Sequence, residues 1–144
     1  MLKALSLAGY AIMLAAVFGL VWKKDLFSPN PIVIAVQILA TAFILWARIT
    51  FGRRSFHLAA NPTEGGLVTS GPYRLVRHPI YTAMCVFVWA GVLANWSWTA
   101  AGFGLLIVAA ALARIFCEEK LVSARYPEYL QYAKITPRMI PGLF

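Results

Sequence analysis

Long uncharged, apolar runs separated by short charged segments dominate the pattern of this chain. The first run covers residues 4–22, and the second covers 31–48 and ends at Arg48. A helix that crosses the hydrocarbon core of a bilayer needs ~20 residues of this kind, so both runs predict transmembrane helices. The first run also resembles a signal peptide, but no small-residue cleavage site follows it, which favours a span that is retained.

The third uncharged run extends over the 35 residues 79–113. As one helix it would be ~52 Å long, whereas the hydrocarbon core measures ~30 Å. The residues NWSW at 95–98 are typical of an interfacial turn, so we expect two helices, at 79–95 and 98–118. Either both helices cross the membrane, or they form a short hairpin that enters and leaves by the same face.

Composition excludes a water-soluble globule. Hydrophobic residues make up 61% of the 144 residues, charged residues make up 12%, and the mean hydropathy is +0.73. We therefore expect an all-α integral membrane protein, with residues 1–144 forming one domain that contains four transmembrane helices.

The placement of charge predicts the orientation. With four crossings, 11 of the 13 Lys and Arg residues lie on the side that holds both termini and the 48–78 loop. The positive-inside rule makes that side cytoplasmic. This asymmetry accounts for the net charge of +8 without a nucleic-acid partner. The two cysteines form no CxxC motif or His/Cys cluster, so we expect no metal, and nothing in the sequence indicates an oligomeric state.

The 48–78 loop contains most of the segment GGLVTSGPYRLVRHPIY at 65–81. Its glycines allow sharp turns, and Pro79 suits the first position of the third helix. Free N–H groups at a helix start suit a carboxylate or phosphate ligand. The alternative is an ordinary basic interfacial loop with a proline at the helix start.

The C-terminal tail carries charged and aromatic residues. Arg114 and Glu118 are four residues apart and share one helical face, where the alternative to a functional site is a surface ion pair. Ionisable groups at the end of a span are costly and tend to mark function. Tyrosines at 126, 129 and 132 have helical spacing, which favours packing against the membrane face.

Several motifs together resemble the isoprenylcysteine carboxyl methyltransferase family and the related membrane phospholipid methyltransferases. They are LVTSGPY at 67–73, RHPIY at 77–81, the glutamate pair at 118–119, and the tail of tyrosines and prolines. The resemblance covers 61–142, which it identifies as a methyltransferase catalytic region. Because the chain is short, it resembles a prokaryotic member, which implies the plasma (inner) membrane.

The resemblance implies transfer of a methyl group from S-adenosylmethionine, giving S-adenosylhomocysteine, to a lipophilic or prenylated acceptor in the membrane. The cytoplasmic loop and the helical tail would form the cofactor site. Arg114 would be the catalytic residue that binds the acceptor. The implied cofactor-binding residues are Gly65, Gly66, Leu67, Val68, Tyr73, His78, Pro79, Ile80, Tyr81 and Glu118.

A carboxylate is the favoured acceptor group. A sulfonium methyl is already activated, so its transfer to a carboxylate needs proximity and exclusion of water but no dedicated base. A phospholipid amine or a small thiol is the alternative acceptor, and His78 or a tyrosine would then take its proton. A non-enzymatic binding or assembly module in the membrane is the third hypothesis.

Overall fold

The computed structural model describes residues 1–52 and 66–142, and within these ranges every regular element is helical. An all-helical protein is therefore confirmed for the part of the chain that is described. A short 3₁₀ turn, Gly71–Arg74, precedes the third α-helix. The α-helices are α1 (Leu2–Trp22), α2 (Pro31–Phe51), α3 (Pro79–Ala94), α4 (Trp98–Arg125) and α5 (Tyr129–Ile135).

Polar residues cap two of these helices at their N-termini. The side chain of Asn30 accepts a hydrogen bond from the backbone N–H of Ile32 at 2.9 Å, and Pro31 follows it at the first helical position of α2. The hydroxyl of Ser97 accepts a hydrogen bond from the N–H of Ala100 at 3.0 Å and caps α4. The turn between α3 and α4 therefore lies where the NWSW sequence predicts it.

Three of the helices, α1, α2 and α4, are long and apolar enough to cross a membrane. The chain is thus an integral membrane protein, with three candidate spans among the described residues where the sequence predicts four. The fourth apolar helix, α3, has 16 residues and a length of ~24 Å, which is less than the ~30 Å of a hydrocarbon core. It is short because Pro79 starts it and Asn95 ends it.

The helices pack in pairs, α1 against α4 and α2 against α3, and α3 also contacts α4. The main core cluster lies between α1, α3 and α4 and includes Ala16, Leu20, Val88, Val92 and Ile107. Most of α2 faces outward, with large apolar side chains exposed, as expected of a helix against lipid. One end of the bundle, here called the site end, contains the start of α1, the end of α2, the start of α3 and the end of α4.

At the opposite end, Gly91 allows the loop after α1 to lie directly on α3. A Cβ atom at Gly91 would lie 2.0 Å from the carbonyl oxygen of Leu26. The side-chain amide of Asn95 holds the same loop by donating to the carbonyls of Asp25, at 3.2 Å, and Phe27, at 2.9 Å. The close contact between this loop and α3 therefore leaves no room for a side chain at position 91.

Gly91→Ala is expected to destabilise the protein by at least ~1–3 kcal/mol, because the added methyl group overlaps backbone atoms. Thermal unfolding in detergent, followed by circular dichroism, measures this loss. Gly102→Ala is the matched control, since no atom outside the adjacent backbone of α4 lies within 4 Å of a Cβ built at Gly102. Equal melting temperatures for the two variants would contradict the close approach of Leu26 to α3.

Candidate active site

The site end brings the start of α3 against the last turns of α4. His78 is the N-cap residue of α3, and Pro79 follows it, buried, at the first helical position. Ile80 and Tyr81 complete the first turn and are half-buried. Since proline fixes its own φ angle and restricts the residue before it, the HPIY sequence sets the direction in which this turn meets α4.

One polar network joins α3 to α4 through the hydroxyl of Tyr81. That hydroxyl donates to Oε1 of Glu118 at 2.5 Å and accepts from Nε of Arg114 at 2.8 Å. Nη2 of Arg114 lies 3.5 Å from the same Glu118 oxygen. The predicted shared face of Arg114 and Glu118 is confirmed, while the bridging position of Tyr81 was not foreseen.

Arg114 lies inside the bundle, with its side chain only 5% exposed. Its Nη1 donates to the carbonyl oxygen of Ser6 in α1 at 2.7 Å, and its guanidinium carbon lies 5.1 Å from the centre of the Tyr10 ring. A buried guanidinium is tolerated only when such partners compensate for its lost hydration. The first helix thus contributes to the site, a contact that no motif or spacing in the sequence predicts.

A second polar network surrounds Glu119, whose side chain is 12% exposed. Its Oε1 accepts from Nε of Arg77 at 3.1 Å and from Nη2 of Arg77 at 2.9 Å. Its Oε2 accepts from Nε of Arg138 at 3.0 Å. Glu119 is thus compensated by two arginines, and the sequence predicts neither of these contacts.

His78 connects the two networks. Its Nε2 lies 3.2 Å from Oε1 of Glu119, and its Nδ1 lies 3.8 Å from Oε2 of Glu118. Only the first distance permits a hydrogen bond. Glu118 is 25% exposed, so it is the more accessible of the two neighbouring carboxylates.

The C-terminal tail is tied to the start of α3 by its backbone. The N–H groups of Arg77 and His78 donate to the carbonyls of Pro137, at 2.8 Å, and Arg138, at 2.9 Å. Nη1 of Arg77 also donates to two carbonyls in this region, those of Ala133 and Thr136. The tail therefore packs directly beside the glutamates of α4.

Tyrosines of the loop and the tail pack inside the protein. The Tyr132 hydroxyl donates to the carbonyl oxygen of Tyr73, whose ring centre lies 5.4 Å from that of Phe51. Burial raises the pKa of Tyr132 to about 12, and burial also raises the pKa of Tyr73. Tyr129 is buried as well, near Arg77, so these rings pack in the protein rather than along the membrane face.

The predicted glycine-rich cofactor segment is only partly described. Gly65 lies outside the described residues. Gly66 has a φ of 87°, a conformation that favours glycine, and it is followed by Leu67 and Val68; these three residues are half-buried and non-helical. The described part of the segment leads into the 3₁₀ turn that carries Tyr73.

Comparison with known proteins shows the family of the chain. The model of the phospholipid methyltransferase family matches residues 31–129, from the start of α2 to the start of α5. The chain belongs to the phospholipid methyltransferase family. The matched range includes RHPIY, Arg114 and both glutamates.

Two curated relatives are similar to this chain. The cobalt-zinc-cadmium resistance protein CzcN of Cupriavidus metallidurans is 32% identical over 110 residues, which are 73% of this chain and 45% of that protein. The nickel-cobalt-cadmium resistance protein NccN of Alcaligenes xylosoxydans xylosoxydans is 37% identical over 111 residues, which are 73% of this chain and 46% of that protein. The chain thus matches less than half the length of these relatives. No solved structure matches it.

Proposed function

We propose that the protein transfers a methyl group from S-adenosylmethionine to a carboxylate on a lipophilic acceptor dissolved in the membrane. The observation that carries this proposal is the contact of Arg114 and Glu118 with one Tyr81 hydroxyl at the site end. It puts an anion-binding group and a cation-binding group side by side, where a charged cofactor and an anionic acceptor would have to meet.

The donor set fits S-adenosylmethionine, which carries a sulfonium, an ammonium and ribose hydroxyls. Glu118 is partly exposed, and its Oε2 lies 3.8 Å from His78, beyond hydrogen-bond distance, so this oxygen suits such groups. When bound, the cofactor supplies an activated methyl group. The residues proposed to hold it are Gly65, Gly66, Leu67, Val68, Tyr73, His78, Pro79, Ile80, Tyr81 and Glu118.

Arg114 is proposed to bind the acceptor carboxylate through Nη2. This nitrogen contacts Glu118 at 3.5 Å, whereas Nε and Nη1 make hydrogen bonds of 2.8 and 2.7 Å to Tyr81 and Ser6. An acceptor carboxylate would approach the guanidinium from the side that faces Glu118. The other two contacts would hold the guanidinium in place.

A carboxylate acceptor needs no general base at the site, because it has no proton to lose. An amine or thiol acceptor would require a base, for which His78 is the candidate. Mass spectrometry of membranes incubated with isotope-labelled S-adenosylmethionine separates these acceptors. We expect a methyl ester, and a labelled amine or thioether would overturn the carboxylate assignment.

Glu118→Gln and His78→Ala are each expected to weaken S-adenosylhomocysteine binding about tenfold, which corresponds to ~1.4 kcal/mol. The reason is the loss of a carboxylate charge in one variant and of the ring at the helix start in the other. Isothermal titration in nanodiscs measures the affinity.

The control for this titration is Glu128→Gln, which removes an exposed glutamate of the tail and should bind like the unmodified protein. Unchanged affinity in both test variants would place the cofactor elsewhere. A folded wild-type protein without measurable binding would favour a non-enzymatic membrane module.

The proposed orientation places both termini and the site end in the cytoplasm. Cysteines introduced at Ser28 and at Lys134, in a variant whose Cys85 and Cys117 are alanine, are expected to react with membrane-impermeant reagents from opposite sides. The positive-inside rule is the physical reason, since Lys134 lies with most of the positive charges. Labelling of both positions from the same side would contradict this topology.

A further inference from the structure

Arg114 is held from one side by α1, a helix that lies outside the family match of 31–129. The α1 backbone at Ser6 accepts a hydrogen bond from Nη1, and the Tyr10 ring lies beside the guanidinium carbon. Tyr81 of α3 binds Nε from another direction. Two helices therefore restrict the orientation of an arginine that belongs to a third.

Gly9 provides the space for the Arg114 side chain to lie against α1. A Cβ atom at Gly9 would lie 3.1 Å from Cγ of Arg114, 3.7 Å from its Cδ, and 3.3 Å from the carbonyl oxygen of Ala110. These are close distances for a carbon, so a larger residue would displace the aliphatic part of the arginine. Gly9 is buried at this contact, one position before Tyr10.

Tyr10 restricts the guanidinium by a contact of a different kind. The distance of 5.1 Å from the Arg114 guanidinium carbon to the ring centre is within the range of a cation–π interaction. Such an interaction stabilises the charge inside the bundle without occupying an N–H group. The N–H groups then remain oriented toward Ser6, Tyr81 and Glu118.

From these contacts we infer that α1 is part of the active site and that Gly9 and Tyr10 are positioning residues for Arg114. This inference rests on the proposed function, in which Arg114 binds the acceptor carboxylate. Acceptor binding then depends on a segment that the family match does not include. The consequence is that changes in α1 alter acceptor turnover while cofactor binding at Glu118 and His78 stays unchanged.

The kinetic test uses an S-prenylated N-acetylcysteine as the probe acceptor, in proteoliposomes. Tyr10→Leu and Gly9→Val are each expected to lower turnover about tenfold or more, because small displacements of a substrate-binding group are costly. Their affinity for S-adenosylhomocysteine should equal that of the wild type. Tyr10→Phe keeps the ring and should restore most of the turnover, and Gly102→Val is the control for a helical glycine with open space around it.

A second measurement needs no acceptor. Tyr10→Leu is expected to lower the melting temperature in detergent by several degrees in the wild-type background, and by clearly less in an Arg114→Ala background. The difference between the two shifts reports the coupling of the ring to the guanidinium. If Gly9→Val does not fold, the comparison of Tyr10→Leu with Tyr10→Phe still shows whether the ring at position 10 positions Arg114.

The outcomes separate the two proposals. Normal turnover in Tyr10→Leu and Gly9→Val, together with a large loss in Arg114→Ala, would overturn the role of α1 and leave the proposed function intact. Equal melting shifts in both backgrounds would also overturn the role of α1. Absence of methyl transfer to any acceptor in the wild type would overturn the proposed function, while the melting shifts would still show whether α1 positions Arg114.

Discussion

Arg114→Ala is expected to lower turnover about a hundredfold, equivalent to ~2.7 kcal/mol, with little change in S-adenosylhomocysteine affinity. The guanidinium is fixed by Tyr81 and Ser6 through hydrogen bonds of 2.8 and 2.7 Å, and Nη2 is the group assigned to the acceptor. Alanine removes that group but leaves the Tyr81 to Glu118 hydrogen bond available. The acceptor therefore loses its partner while the proposed cofactor residues remain.

The assay measures initial rates with the prenylated cysteine probe and, separately, titrates S-adenosylhomocysteine. Arg125→Ala is the matched control, since Arg125 is exposed at the end of the same helix. Arg114→Lys keeps one positive charge but lacks the planar set of donors, so we expect it to recover only part of the rate. Near-normal turnover in Arg114→Ala would show that Arg114 only joins α4 to α1 and α3 inside the bundle.

The helices were predictable because strong local signals mark their ends. Lysines limit the first uncharged run, Asn30 and Pro31 start α2, and Ser97 starts α4. The number of spanning helices was harder to predict than their ends, since it depends on the length of each helix as well as on its hydropathy. With 16 residues, α3 is apolar throughout but shorter than a bilayer core.

The candidate site was predictable where its geometry is local. Arg114 and Glu118 are one helical turn apart, so their shared face follows from spacing alone. The bridge through Tyr81 depends on how α3 and α4 rotate against each other, which no spacing within one helix reveals. The contact with Ser6 joins residues 108 positions apart and depends on the pairing of α1 with α4.

Adjacent glutamates make different contacts because successive side chains on a helix point in different directions. Glu118 faces Tyr81 and Arg114 and keeps partial exposure, whereas Glu119 faces the start of α3 and the tail. The sequence marks the pair as costly and therefore significant, but it does not separate the two carboxylates. The structure assigns Glu119 to holding Arg77 and Arg138 together.

Glu119→Gln is accordingly expected to destabilise the protein by about 3–5 kcal/mol, the usual effect of removing one partner from a buried ion pair. The amide keeps the size of the side chain but not its charge, so Arg77 and Arg138 lose their compensating anion. Arg77 also donates to the carbonyls of Ala133 and Thr136, so a displaced Arg77 would release the tail. Chemical unfolding in detergent, together with limited trypsin digestion of the tail, measures both effects.

Glu118→Gln is the matched comparison, because it makes the same chemical change one residue away. It should weaken S-adenosylhomocysteine binding but leave the unfolding midpoint and the tail protection near wild type, since Glu118 is more exposed and contacts Tyr81 and Arg114. The two variants should therefore show opposite patterns, one losing stability and the other losing affinity. If both lost affinity to the same extent and neither lost stability, both carboxylates would contact the cofactor, and the division between them would be wrong.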